Sequence, residues 1–331
     1  MLLILLFIAV CFLAFSNGAN DNFKGVATLF GSGITNYKKA INWATITTFS
    51  GSVAAIYLAE ELVKNFSGKG LVPNELIQTP IFAIAIALGA AITVFSATKI
   101  GMPISTTHSL VGALFGAGVV AVGSEFNFEK LGNTFLMPLI VSPLMAAILS
   151  LLAYLLFKFL RKQISSLNKE HPTVLGVSSS RILDGLHYLS SGIVSFARGL
   201  NDTPKIVGLL IIINTIAIEW NMISVAVIMV IGGLLNAKKV GETMSKKITK
   251  MNSGQGFTAN MITGLLVTTA SVHGLPVSTT HVSVGSLFGI GTVTKKADYN
   301  VIGKIILSWV LTLPIAAIIS AVVFKVLELF T

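Results

Sequence analysis

The stretch PISTTHSLVG (residues 103–112) returns as PVSTTHVSVG (residues 276–285), and each copy interrupts an otherwise apolar run. Around these cores, residues 101–118 and 274–291 are identical at 12 of 18 positions, at a constant offset of 173. An earlier block aligns at an offset of 181: Gly18, Asn20, Asp21 and Lys24 match Gly199, Asn201, Asp202 and Lys205. The same offset reaches Gly51 and Glu61, opposite Gly232 and Glu242. Near the end, AAILS (146–150) meets AAIIS (316–320) at an offset of 170. An offset that changes only between blocks marks a duplicated unit whose loops have changed length. The repeats are read as 1–160 and 182–331, joined by a polar, basic linker at 161–181.

Composition supplies the solvent. Over 331 residues the chain is 53% hydrophobic and 11% charged, against roughly 25% charged in an ordinary soluble domain. Apolar runs at 81–95, 135–160, 222–235 and 305–327 approach the roughly 20 residues a helix needs to cross a bilayer. This predicts an all-α integral membrane protein rather than a barrel, whose strands carry period-two patterning. The single cysteine, Cys11, lies in an apolar run and excludes a disulfide framework or a thiolate metal site. The net charge of +10 comes from lysines lying between apolar runs, which fits cytoplasmic loops and argues against a nucleic-acid partner. The run at 1–15 resembles a leader. However, the NGANDNFKG that follows it has a partner, RGLNDTPKI, in mid-chain, so it is read as the first membrane helix.

Loop charge orients the repeats. The loop after the second helix is mixed in the first copy (Glu60, Glu61, Lys64, Lys69, Glu75). In the second it is basic (Lys238, Lys239, Lys246, Lys247, Lys250, against Glu242). Equivalent loops therefore face opposite sides. With the linker inside, each half makes about five crossings and the second half is upside down. Such inverted-topology repeats, with broken or re-entrant half-helices and 10–12 transmembrane segments here, build many secondary transporters.

The PxSTTH stretch predicts a helix break. Pro103 and Pro276 suit the first turn of a new helix, and the Ser and Thr that follow suit N-caps, so fresh helices should start near Ser105 and Ser278. Gly101 and Gly274 supply the turn before each. A helix N-terminus attracts anions through unpaired N–H groups and a partial positive charge. Ser105, Thr106 and Thr107 with Ser278, Thr279 and Thr280 add hydroxyls suited to a tetrahedral oxyanion. One such start reads simply as a capped helix, and its repetition within a membrane turns the reading to anion binding.

The second motif, Gly-x-Asn-Asp-x-x-Lys, ends the first helix of each copy. A carboxylate at depth costs roughly 2.5 to 3.5 kcal/mol on insertion scales and marks function. Asp21 and Asp202 would repel an anion unless protonated, neutralised by a cation, or accepting a proton from the ligand. Sodium held by Asn20, Asp21, Asn201 and Asp202 resolves the conflict, with Gly18 and Gly199 letting the helix unwind. Lys24 and Lys205 have two readings, pairing with the aspartates or lying at the membrane edge. His108 and His281 read as neutral groups holding the bend, Arg198 in place of Asn17 as a charge facing the site from one side, and Glu61 and Glu242 as surface groups. No nucleophile with its base is evident, which argues against an enzyme.

NGANDN with GLNDTPK, together with the twin P-[I/V]-STTH, resembles the inorganic phosphate transporter (Pit/PiT) family over both halves. The resemblance implies symport of inorganic phosphate with sodium or protons by a dimeric, multi-pass protein of the cell (inner) membrane. It places the substrate at the repeat interface, on residues matching Asn20, Asp21, Asn201, Asp202, 105–107 and 278–280. Asp21 and Asp202 are thus expected at both the phosphate and the cation. Relatives continue the first motif with small residues where this chain has Asn22, Phe23 and Lys24, which leaves the coupling ion open. Sodium, co-transported rather than a cofactor, is the first expectation. Proton-coupled transport of phosphate or a metal-phosphate complex, sulfate symport and a passive channel are the rivals.

Overall fold

The computed structural model describes residues 1–167, 173–174, 177–213, 216–246 and 251–330. The linker expected at 161–181 lies largely outside the residues whose side chains are described, as do Lys247 and Lys250. Ten long helices carry the architecture among the described residues. Those of the first repeat are α1 (Leu2–Asp21), α2 (Tyr37–Leu58), α3 (Pro80–Ile100), α4 (Thr106–Val122) and α5 (Met137–Leu167). Those of the second are α6 (Ser179–Val207), α7 (Ile218–Asn236), α8 (Ser253–Val272), α9 (Thr279–Thr294) and α10 (Tyr299–Glu328).

Six stretches combine the length and apolarity needed to cross a bilayer among the described residues: α1 with its continuation to Gly31, α3, α4, α5 with the turn before it, α7 and α10. The other long helices are more polar for a reason visible in their contents. α6 carries Arg198, Asp202 and Lys205, while α8 is rich in Thr and Gly. The distribution is inside-out. Ile140, Leu144, Ile148 and Leu152 of α5 and Val310, Ile318 and Val322 of α10 are exposed, whereas Asp21, Lys24, Arg198, Asp202 and Lys205 are buried. An apolar rim around a polar centre is stable where the solvent is lipid.

The repeats interlock. α1 packs on α7 and α6 on α2, while α4 packs on α10 and α9 on α5, so every one of these contacts crosses between halves. Small residues make the crossings close. A Cβ on Gly18 would lie 1.9 Å from the Met229 carbonyl oxygen, and one on Gly199 would lie 2.0 Å from that of Thr48. Gly116 approaches Ala317 and Gly289 approaches Ala147 in the same way, at 2.0 and 2.1 Å. In each pair the two contacts exchange equivalent positions, as a two-fold relation between repeats requires. Gly18 and Gly199 therefore do not unwind their helices as expected. Both lie in continuous helix, and the missing side chain permits backbone contact instead.

Candidate functional site

The two breaks form as the sequence predicts, with one correction. α3 ends at Gly101 (φ 76°) and α8 just before Gly274 (φ 69°), a left-handed conformation that glycine adopts without strain. The new helices begin at Thr106 and Thr279, with Ser105 and Ser278 as N-caps accepting from the N–H groups of His108 (3.1 Å) and His281 (3.2 Å). Pro103 and Pro276 thus lie ahead of the helices rather than in their first turns. Proline biases the residue before it away from helix and offers no N–H of its own. The result is a short non-helical segment that leaves the Ile104 and Val277 carbonyls available to side chains.

Asparagines tether both segments. Asn20 donates to Thr98 Oγ1 (2.9 Å) and the Met102 carbonyl (3.1 Å) and accepts from the Ile104 N–H (3.2 Å). Asn201 donates to the Val277 carbonyl (3.2 Å) and Thr279 Oγ1 (3.2 Å) and accepts from Ser271 Oγ (3.1 Å). Thr98 and Ser271 match at the offset of 173, and neither was among the expected site residues. Their signal in the sequence is a hydroxyl three residues before each turn glycine.

The helix ends meet across the repeat boundary. Thr107 Oγ1 donates to the Val277 carbonyl (3.2 Å) and Thr280 Oγ1 to that of Ile104 (3.1 Å). Just behind them the rings of His108 and His281 lie 4.3 Å apart between centroids, and His281 stacks on Trp309 at 3.7 Å. The first intrahelical bonds come from the N–H groups of Ser109 and Val282. The N–H groups of Thr106, Thr107, Thr279 and Thr280 therefore precede the helical ladder, as helix geometry demands.

Between these ends and the termini of α1 and α6 sits a charged cluster. Asp21, Lys24, Arg198, Asp202 and Lys205 are, among the described residues, the buried members of the Asp, Glu, Lys and Arg classes, and none is more than 4% exposed. Of the two readings of the lysines, pairing is the one observed. Lys24 Nζ donates to Asp21 Oδ1, and Lys205 Nζ lies 3.8 Å from Asp202 Oδ1. Arg198 Nε lies 3.6 Å from Asp202 Oδ2, and Arg198 Nη2 donates to Asn17 Oδ1 at 2.5 Å. The Asn17 amide nitrogen lies within 3.1 Å of Asp21 Oδ2, Asp202 Oδ2 and Thr106 Oγ1. Thr106 also donates to Asp21 Oδ2 (3.0 Å). Asn17 was not among the expected site residues, since at its matched position the other half has Arg198. Glu61 is exposed and paired with Lys64 at 2.9 Å.

Every expected site residue is thus within this assembly, in two layers. Asp21 and Asp202 belong to the charged cluster, Thr106, Thr107 and Thr280 contact it, and Thr279 accepts from Asn201. Ser105 and Ser278 serve as caps, and Asn20 and Asn201 hold the breaks. Three cations against two carboxylates, beside two sets of helix N-terminal N–H groups, leave the centre with an excess of positive charge, an environment that attracts an anion.

Comparison with known proteins points the same way. The chain matches the model of the phosphate transporter family over residues 17–320. A "probable low-affinity inorganic phosphate transporter" of Rhizobium meliloti is 28% identical, covering 99% of this chain and 97% of that protein. One of the same description from Bacillus subtilis is 25% identical, covering 99% and 98%. A solved structure described as "The sodium-dependent phosphate transporter" superposes with a TM-score of 0.86 at 25% identity, covering all of both chains. The repeated helix breaks, the buried charges and the match over nearly the whole chain agree: this multi-pass membrane protein belongs to the phosphate transporter family.

Proposed function

We propose that the protein is a secondary active carrier that imports inorganic phosphate by cation symport through alternating access. The observation that carries this reading is the convergence of the five charges buried among the described residues on two facing helix starts, with a net positive balance. In the bound state, phosphate oxygens take donors that now serve Asp21, namely the Thr106 hydroxyl and the Asn17 amide, together with the leading N–H groups of α4 and α9. A P–OH group then donates to Asp21 or Asp202, so each carboxylate acts as acceptor rather than as a repelling charge. Sulfate has no proton to give at neutral pH. A large excess of sulfate should therefore leave phosphate uptake nearly unchanged, and full competition would overturn this account of selectivity.

The swapped packing supports the reading of 1–160 and 182–331 as two-fold-related repeats, and the loop charges support their inversion across the membrane. Assembly as a homodimer, 10–12 crossings and residence in the inner cell membrane belong to the same proposal. Sodium coupling is supported by the structural relative, which is described as sodium-dependent. Here sodium would draw on Asp21, Asp202 and the second lone pairs of the Asn20 and Asn201 carbonyls. Proton coupling is favoured by one observation, that both carboxylates already have cationic partners. Radiolabelled phosphate uptake into proteoliposomes decides between them. Accumulation driven by an imposed sodium gradient establishes the first, and accumulation driven only by a pH gradient the second. Equilibration without accumulation under either gradient would mean a passive channel and overturn the carrier.

A further inference from the structure

The surroundings of the two lysine ammonium groups are those of a cation site. Lys24 Nζ donates to the Asp21 carboxylate, to the Ile104 carbonyl (2.6 Å) and to Thr280 Oγ1 (2.7 Å). Lys205 Nζ donates to the Val277 carbonyl (2.6 Å) and Thr107 Oγ1 (2.8 Å), with Asp202 Oδ1 at 3.8 Å. The two sets correspond position by position through the repeat. Each consists of a carboxylate three residues earlier, the carbonyl of the residue just after the proline in its own half, and a threonine hydroxyl from the other half. At Lys24 three acceptors match the three protons of an ammonium, whereas a neutral amine has two; at Lys205 two acceptors are hydrogen-bonded and the carboxylate completes the set as an ion pair. Each threonine gives its own proton to the same carbonyl, leaving a lone pair for the lysine.

Carboxylate, carbonyl and hydroxyl oxygens are the donor set of a hard metal cation. The cation expected from the sequence had one electrostatic task, to neutralise Asp21 and Asp202 so that an anion can be tolerated beside them. We propose that Lys24 and Lys205 perform that task as tethered, resident counter-cations, so that this chain binds phosphate without sodium at either carboxylate. The inference rests on the phosphate reading above and goes beyond it, because it assigns two residues that set the ion requirement.

The test is equilibrium binding of radiolabelled phosphate to the purified full chain in detergent, in sodium chloride and in choline chloride at equal ionic strength. The wild-type protein should bind equally in both salts. Lys24→Ala and Lys205→Ala should bind at least about tenfold more weakly in choline, the cost of removing a charge-assisted contact, and sodium should restore much of the loss. That gain of sodium dependence is a readout that a purely structural staple between the halves would not produce. Wild-type binding that requires sodium overturns the proposal, as do variants that bind in choline as well as wild type. If a variant does not survive purification, the wild-type comparison and the conservative Lys24→Arg, expected to stay sodium-independent, still decide. Absence of phosphate binding in both salts would instead overturn the phosphate reading, and this inference with it.

Discussion

At the scale of single residues, the repeat is most informative where it is broken. Asn17 and Arg198 occupy equivalent positions, yet they touch each other. Equivalent residues can meet only on the axis relating the repeats, as His108 and His281 also do. Two arginines there would repel at contact distance, and two asparagines would bring no charge, so one of each satisfies both carboxylates. Arg198→Gln should reduce phosphate uptake by more than about tenfold. It should also cost about 3 to 5 kcal/mol of stability, because a buried Asp202 loses a cationic partner; thermal unfolding in detergent measures the second effect. Asp21→Asn and Asp202→Asn should each abolish concentrative uptake, and unchanged accumulation by both would refute their role. The aspartates were legible as isolated charges in apolar sequence. The lysine pairing was not, because a lysine three residues beyond can either turn back or snorkel to the interface, and only packing decides.

Among the helices, two local rules explain most of the architecture. Ser105 and Ser278 cap α4 and α9 as their sequence promised, while the prolines stand outside because the chain needs extended backbone there to expose two carbonyls. Ser105→Ala should cost about 1 kcal/mol by loss of the cap and weaken phosphate binding through a loosened helix start, both seen in a ligand-dependent thermal shift. The glycines behave according to what faces them. Gly116→Ala places a methyl 2.0 Å from the Ala317 carbonyl oxygen, so α4 and α10 must separate, at about 1 to 3 kcal/mol for overpacking. Gly303→Ala in α10 meets nothing within 4 Å and should be neutral or stabilising by up to about 1 kcal/mol through helix propensity. Composition shows that small residues are needed on these helices. It does not show that each pairs with a backbone oxygen of the opposite repeat.

For the whole molecule, the halves are not separable bodies. α2 and α6, and α5 and α9, complete each other across the boundary. Fragments 1–160 and 182–331 made separately should aggregate in mild detergent, whereas co-expressed they should copurify and bind phosphate; a monodisperse, folded single half would contradict this. The chain by itself determined the membrane environment, the duplication, both breaks and the residue types at the centre, because apolar runs, matched offsets, prolines and isolated charges act through local physics. Tertiary structure alone decided that the first helix of one repeat packs on the second helix of the other, that Asn17 bridges both carboxylates, and that two ammonium groups occupy the oxygen cages. These are contacts between segments far apart in sequence. Their energy depends on which groups are excluded from lipid together, and no local pattern in either repeat carries that information.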